Sequence, residues 1–141
     1  MAEAVLGANI LLRYLTDEPR DLADRVARIL EAAEVHRIKP VVAPLTLAEV
    51  VFVLESVYGW KRREIADRLL ALVSASVMEF LEQDAVSQAL LWYRDFGALH
   101  FADAYIAALA AKRKSILVSF DRGLKRLPAI KVADRPESLV P

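Results

Sequence analysis

Apolar residues along the chain fall into two alternating patterns. Short, nearly unbroken apolar runs occur at Ala4-Val5-Leu6, at residues 39–43, at 77–81, at 115–120 and at Ile130-Lys131-Val132. Each is too short for a helix and reads as a strand, with 115–120 the most apolar. Longer segments lie between them, and their apolar residues recur every three or four positions. The clearest spans 21–35, with Leu22, Val26, Ile29, Leu30 and Ala33 on one face. Further helices are expected at 10–15, 46–58, 61–73, 84–96 and 101–112, and Gly59 is placed to end the third of these six.

Strands alternating with helices predict an α/β fold, with a parallel sheet of four to five strands covered by helices on both faces. Ligands of such sheets bind beyond the carboxyl ends of the strands.

Composition narrows the class. A chain of 141 residues is the size of one domain, so 1–141 is expected to fold as a single unit. With 56% hydrophobic residues, 4 Gly and 6 Pro it is not a disordered chain. Nineteen basic residues balance nineteen acidic ones, which excludes a whole-molecule basic field but not a local basic patch. The absence of cysteine excludes disulfide scaffolds, thiolate metal sites and Cys nucleophiles. The first residues lack the basic-then-apolar order of a signal peptide, and no apolar run reaches the ~18 residues of a membrane span. A cytoplasmic protein with no membrane partner is the expectation.

The polar residues after each strand hold the candidate chemistry. Gly7-Ala8-Asn9 follows the first strand, Pro44-Leu45-Thr46-Leu47-Ala48-Glu49 the second and Asp121 the fourth, while Asp103 opens the Ala-rich helix before it. Glu49 and Asp103 sit among apolar neighbours, where an ionised acid is costly unless paired or metal-bound. Three acids converging at one sheet edge would need a divalent cation, and oxygen ligation without Cys suits Mg²⁺ or Mn²⁺. Such ions most often handle phosphates. Each acid also has a structural role open to it. Thr46-Leu47-Ala48-Glu49 matches a capping box, Asp103 favours a helix N-terminus, and Asp121 before Arg122-Gly123 suits a turn.

Four segments in order resemble PIN-domain proteins of the VapC toxin type. They are Asn9-Ile10-Leu11-Leu12-Arg13-Tyr14-Leu15, Pro44-Leu45-Thr46-Leu47-Ala48-Glu49-Val50-Val51, Phe101-Ala102-Asp103-Ala104-Tyr105-Ile106-Ala107-Ala108 and Leu117-Val118-Ser119-Phe120-Asp121-Arg122. The resemblance covers essentially the whole chain. It implies a single PIN-like domain, a three-layer α/β/α sandwich, acting as a Mg²⁺- or Mn²⁺-dependent endoribonuclease. Glu49, Asp103 and Asp121 take three of the family's four acidic positions, as catalytic and metal-holding residues. Asn9 matches the family's site-bracing Asn, and Ser119 a small hydroxyl residue two places before the last Asp.

The first family acid is missing, because Gly7 stands in its place. Glu3 is no ready substitute, since four residues along a strand is ~13 Å. Three readings of Gly7 stay open: an inactivating change, a natural non-cutting domain, or a site that works with three carboxylates and waters. Weakened metal binding and turnover are expected. His100 also departs from the family pattern, with roles as a helix cap, a brace for Asp103 or a solvent-facing residue.

RNA phosphates call for cations, and Lys61-Arg62-Arg63, Lys112-Arg113-Lys114 and Arg122 with Lys125 and Arg126 supply them. Arg122 is placed best, beside Asp121; the 112–114 cluster matches a helix C-terminal dipole. Arg13 is a further candidate, and Trp60 can stack on a base. Residues 50–54 are apolar all round, which implies burial on every side or pairing with another chain. Trp92 and Tyr93 sit together on the 84–96 helix, where either one faces outward or toward a subunit or both form ordinary core and rim. The resemblance further implies a homodimer and a cognate VapB-type antitoxin, with 10–15 and 22–30 as docking surfaces. The alternative class is a non-cutting PIN domain that binds an antitoxin or oligomerises. A phospho-acceptor receiver lacks its acidic pair at Gly7-Ala8-Asn9, and no Gly-x-x-x-x-Gly-Lys loop supports a nucleotide kinase.

Overall fold

The computed structural model describes residues 2–139. Its contacts divide into two compact units, Met1–Glu82 and Gln83–Pro141. The first unit carries β1 (Ala2–Val5), α1 (Ala8–Thr16), α2 (Arg20–Val35), β2 (Ile38–Val42), α3 (Pro44–Ser56), α4 (Arg62–Ala75) and β3 (Glu79–Phe80). Its sheet has the order β1-β2-β3, all parallel, with Val5 opposite Val41 and Val42 opposite Phe80. β2 is central, so its Val41 and Val42 are buried, whereas β1 is an edge that leaves Glu3 and Val5 exposed. Helix α2 packs on β2, and α1 lies between α2 and α3. Leu11, Leu47, Val50, Leu54, Ile65 and Leu69 are fully buried and form the centre of this unit's core.

The second unit carries α5 (Gln83–Asp95), α6 (Phe101–Lys112), β4 (Ile116–Val118), a 3-10 turn (Arg122–Arg126), β5 (Lys131–Ala133) and a second 3-10 turn (Pro136–Leu139). β4 and β5 pair in parallel, with Leu117 opposite Val132. Helices α5 and α6 pack against each other, and Tyr93 meets Phe101 edge-to-face with ring centroids 6.2 Å apart.

All five expected strands form, and every pairing is parallel, so the α/β class holds. The hydrogen-bond ladders join three strands in one sheet and two in another, where the periodicity predicted one sheet of four to five. The fourth strand is shorter than expected. It spans three residues, because Ser119 turns its side chain to the Asp121 N–H and the chain leaves the ladder there. Phe120, expected inside it, is 90% exposed.

The alternatives for two apolar segments are separated by burial. Helix α3 buries Leu47, Val50, Val51 and Leu54, yet Phe52 is 67% exposed and Leu45 83%. The run 50–54 is therefore a one-sided helix, not one buried all round. Trp92 and Tyr93 are both buried. Helix α5 also buries Ala85, Val86, Ala89 and Leu90, an arc wide enough to take neighbouring positions inward. Among the described residues no helix is long and apolar enough to cross a membrane.

Candidate active site

Gly7 follows β1 and occupies the N-cap of α1 with extended backbone, φ −79° and ψ 165°. Any residue adopts that conformation. A Cβ built there meets only the Asn9 Oδ1 at 3.6 Å, ordinary van der Waals contact. Position 7 therefore has room for an aspartate. As it stands, α1 has no side-chain cap and no acid in its first turn. Asn9 lies one residue into α1 with its side chain exposed and, among the described residues, without a hydrogen-bond partner.

Arg13 lies on the same helix and is half-buried. Its Nη1–H donates to the Tyr58 Oη at 3.1 Å, while its Nε is buried without a partner. It is tied to the segment after α3 by this bond, which leaves its positive charge unneutralised. Sequence reasoning missed Tyr58, and no local pattern points to a partner 45 residues away.

The capping-box role proposed for Glu49 does not survive. Helix α3 starts at Pro44 behind an Ala43 N-cap, so Thr46 is already inside the helix. Proline favours the first helical position, where its missing N–H leaves nothing unsatisfied, and this sets the boundary two residues earlier than expected. Glu49 thus sits beyond the first turn, exposed on the same side as Leu45 and Phe52, and reaches back to no cap.

In the second unit, Asp103 is in the first turn of α6 and half-buried. It has no hydrogen bond or ion pair among the described residues. Its negative charge suits the helix N-terminus. His100 holds the N-cap of α6 through its backbone alone; its carbonyl accepts from Ala104, and its side chain is exposed and makes no cap hydrogen bond. Of the roles open to His100, the solvent-facing one fits.

Asp121 caps the 3-10 turn: its Oδ1 accepts the Gly123 N–H at 2.8 Å. The Ser119 Oγ accepts the Asp121 N–H at 3.0 Å, and the Ser119 N–H bonds the Ala133 carbonyl of β5. Ser119 therefore anchors the Asp121 backbone to the β4–β5 ladder. Asp121 keeps Oδ2 free of this turn, and Arg122 beside it is exposed.

The same turn is tethered at its far end. Lys125 Nζ donates to Asp134 Oδ2 at 2.9 Å, and Arg135 Nε to Asp134 Oδ1 at 3.2 Å. These hydrogen bonds, the Lys125 one foremost, hold the Asp134 carboxyl below the ordinary carboxylate range. A lowered folded pKa means that the tether is complete above the unfolded value and is lost as pH falls through the folded one. A carbon-detected titration should place the Asp134 midpoint below that of an exposed Asp, and Lys125→Ala should return it toward ordinary. An unchanged midpoint in Lys125→Ala would rule out the tether.

Hard carboxylate oxygens suit a divalent ion. Their number falls short, however: among the described residues no three His, Cys, Asp or Glu side chains are grouped to hold a metal. Gly7 contributes nothing where a further carboxylate would stand.

A comparison with curated proteins finds no match. The family model described as PIN domain matches residues 4–130, which runs through both compact units and includes Gly7, Glu49, Asp103 and Asp121. The chain belongs to the PIN-domain family, whose members are nuclease-type domains that generally use divalent metal ions.

Proposed function

We propose that this chain is a VapC-type toxin, an endoribonuclease that hydrolyses RNA phosphodiesters and is attenuated by Gly7. In this reading 1–141 is a single domain, with a three-layer sandwich around one sheet of four to five strands. Asp103 is the observation that carries the reading. This half-buried residue of a PIN chain stands in the first turn of α6, and its carboxylate has no hydrogen bond or ion pair among the described residues, which leaves its oxygens open to a ligand.

Glu49, Asp103 and Asp121 would hold Mg²⁺ or Mn²⁺, which when bound offsets phosphate charge and lowers the pKa of a water. The chain's own contributions are simpler. Ser119 fixes the Asp121 backbone to the ladder, Asn9 would take the site-bracing place of the family's Asn, and Arg122 and Arg13 would meet phosphate oxygens. The partners proposed are RNA, a second copy of the chain and a VapB-type antitoxin, in the cytoplasm.

A non-cutting PIN domain that binds an antitoxin or oligomerises is the second reading, favoured by the missing acid at Gly7. Cleavage of a labelled RNA pool with Mg²⁺ or Mn²⁺ separates the two, with EDTA as the control. Slow, EDTA-sensitive cutting is expected from the chain as it stands. Asp103→Asn should lower it on the order of 100-fold, since even groups that only support metal ligands are worth 10–100-fold. Cutting that survives EDTA, or that Asp103→Asn leaves intact, would sink the proposed site.

A further inference from the structure

A cluster of cations surrounds Trp60 in the first unit. Four basic residues and two acidic ones lie between positions 60 and 68: Lys61, Arg62, Arg63 and Arg68 against Glu64 and Asp67. In a chain of zero net charge this is a local basic excess. It is also wrongly placed for helix stability. Lys61 is the N-cap of α4 and Arg62 and Arg63 open its first turn, where the helix dipole favours acids. Stability alone does not account for three cations there.

Local structure holds Trp60 in place. Gly59 takes φ +67°, a conformation that suits glycine, and a Cβ there would meet nothing within 4 Å. The Trp60 N–H then bonds back to the Leu54 carbonyl of α3 at 2.9 Å. Arg68 lies over the indole, 5.2 Å from the ring centroid, and its Nη2–H donates to the Leu15 carbonyl at the end of α1. One side of the ring is thus taken by a fixed cation. An open groove lined by Gly59, Trp60, Lys61, Arg63 and Glu64 runs beside the ring. Bare backbone at Gly59 lets a chain approach closely.

We propose that Trp60, Lys61, Arg63 and Arg68 form an RNA-holding surface, with one base stacked on Trp60 and flanking phosphates on Lys61 and Arg63. Stacking needs only a π-face, and phosphate contacts carry no sequence information. The surface therefore takes single-stranded RNA of any sequence. Glu64 disfavours anions at one edge of the groove, which leaves the phosphates to the Lys61–Arg63 side. The inference rests on the nuclease reading for its choice of RNA.

The test is binding of a fluorescein-labelled single-stranded RNA in EDTA, followed by anisotropy across a salt series. Lys61→Glu with Arg63→Glu should weaken binding about tenfold or more and flatten the salt slope by about 1.4, at roughly 0.7 per lost phosphate contact on a single strand. The same pair places acids at a helix N-terminus, so the melting temperature should hold or rise. Trp60→Ala should weaken binding about tenfold, while Trp60→Phe should keep most of it. Trp92 is buried, so RNA should quench mainly the Trp60 fluorescence. Unchanged affinity and slope in the charge variant would overturn the proposal, as would loss of binding with a fall in melting temperature. So would preferential capture of an acidic peptide over RNA. The two readings fail separately. If Gly7→Asp cuts RNA while the charge variant binds as the parent does, the surface fails and the nuclease stands. If no form of the chain cuts but RNA binds through Trp60, the nuclease fails and the surface stands.

Discussion

Gly7→Asp is expected to raise metal-dependent RNA cleavage by one to two orders of magnitude, the range in which loss of a metal-site group is commonly felt. The backbone at Gly7 is extended with negative φ, so aspartate enters without strain. The nearest atom to its Cβ would be the Asn9 Oδ1 at 3.6 Å, which needs no movement. The substitution also supplies α1 with an N-cap acceptor, among the residues most favoured there. Gly is itself tolerated at an N-cap, so the stability gain is only a few tenths of a kcal/mol. The expected result is therefore a large change in cleavage with a nearly unchanged melting temperature. Equal cleavage by both forms, with the fold intact, would show that position 7 is not a ligand position in this chain. Calorimetric titration with Mn²⁺ gives an independent readout, since an added carboxylate should tighten binding whether or not the right RNA is present.

Tyr93→Ala should cost about 3–5 kcal/mol of stability, as large aromatic truncations in cores do. Tyr93 is the largest fully buried side chain, at 0% exposure. It packs edge-to-face on Phe101, an arrangement worth about 0.5–1.5 kcal/mol beyond burial. Phe101 opens α6 two residues before Asp103, so the same contact sets where that carboxylate begins. Against a total stability of roughly 5–15 kcal/mol, the loss is a large fraction. Urea unfolding followed by circular dichroism measures it. A midpoint shift worth under about 1 kcal/mol would mean that α5 and α6 repack around the cavity. Tyr93→Phe keeps the ring and should cost far less.

Legibility differed by the range of the interactions involved. The α6 boundaries, Phe101–Lys112, were readable to the residue, because a continuous Ala-rich run has strong helix propensity and ends at basic residues. Helix α2 was readable to within one residue from its apolar face. The start of α3 was not, because Thr46 offered a plausible cap and Pro44 a better first position. Two local placements were legible in the sequence: Asp103 in the first turn of α6, and Ser119 two places before Asp121. The Ser119–Asp121–Gly123 turn follows from neighbours in sequence, so the Asp121 turn was anticipated. The Arg13–Tyr58 and Lys125–Asp134 pairs were not, because nothing local selects one partner among many.

By itself the sequence determined the α/β class, where along the chain the strands fall, and the family. These depend on periodicity and residue identity, which short-range sterics and burial translate directly into elements. Only the tertiary structure decided which strands share a ladder, that Glu49 caps nothing, that Arg13 bonds Tyr58, and that Phe52 and Phe120 face outward while Trp92 and Tyr93 do not. Those outcomes depend on which surfaces meet across tens of residues, and packing selects among partners that local sequence leaves equivalent.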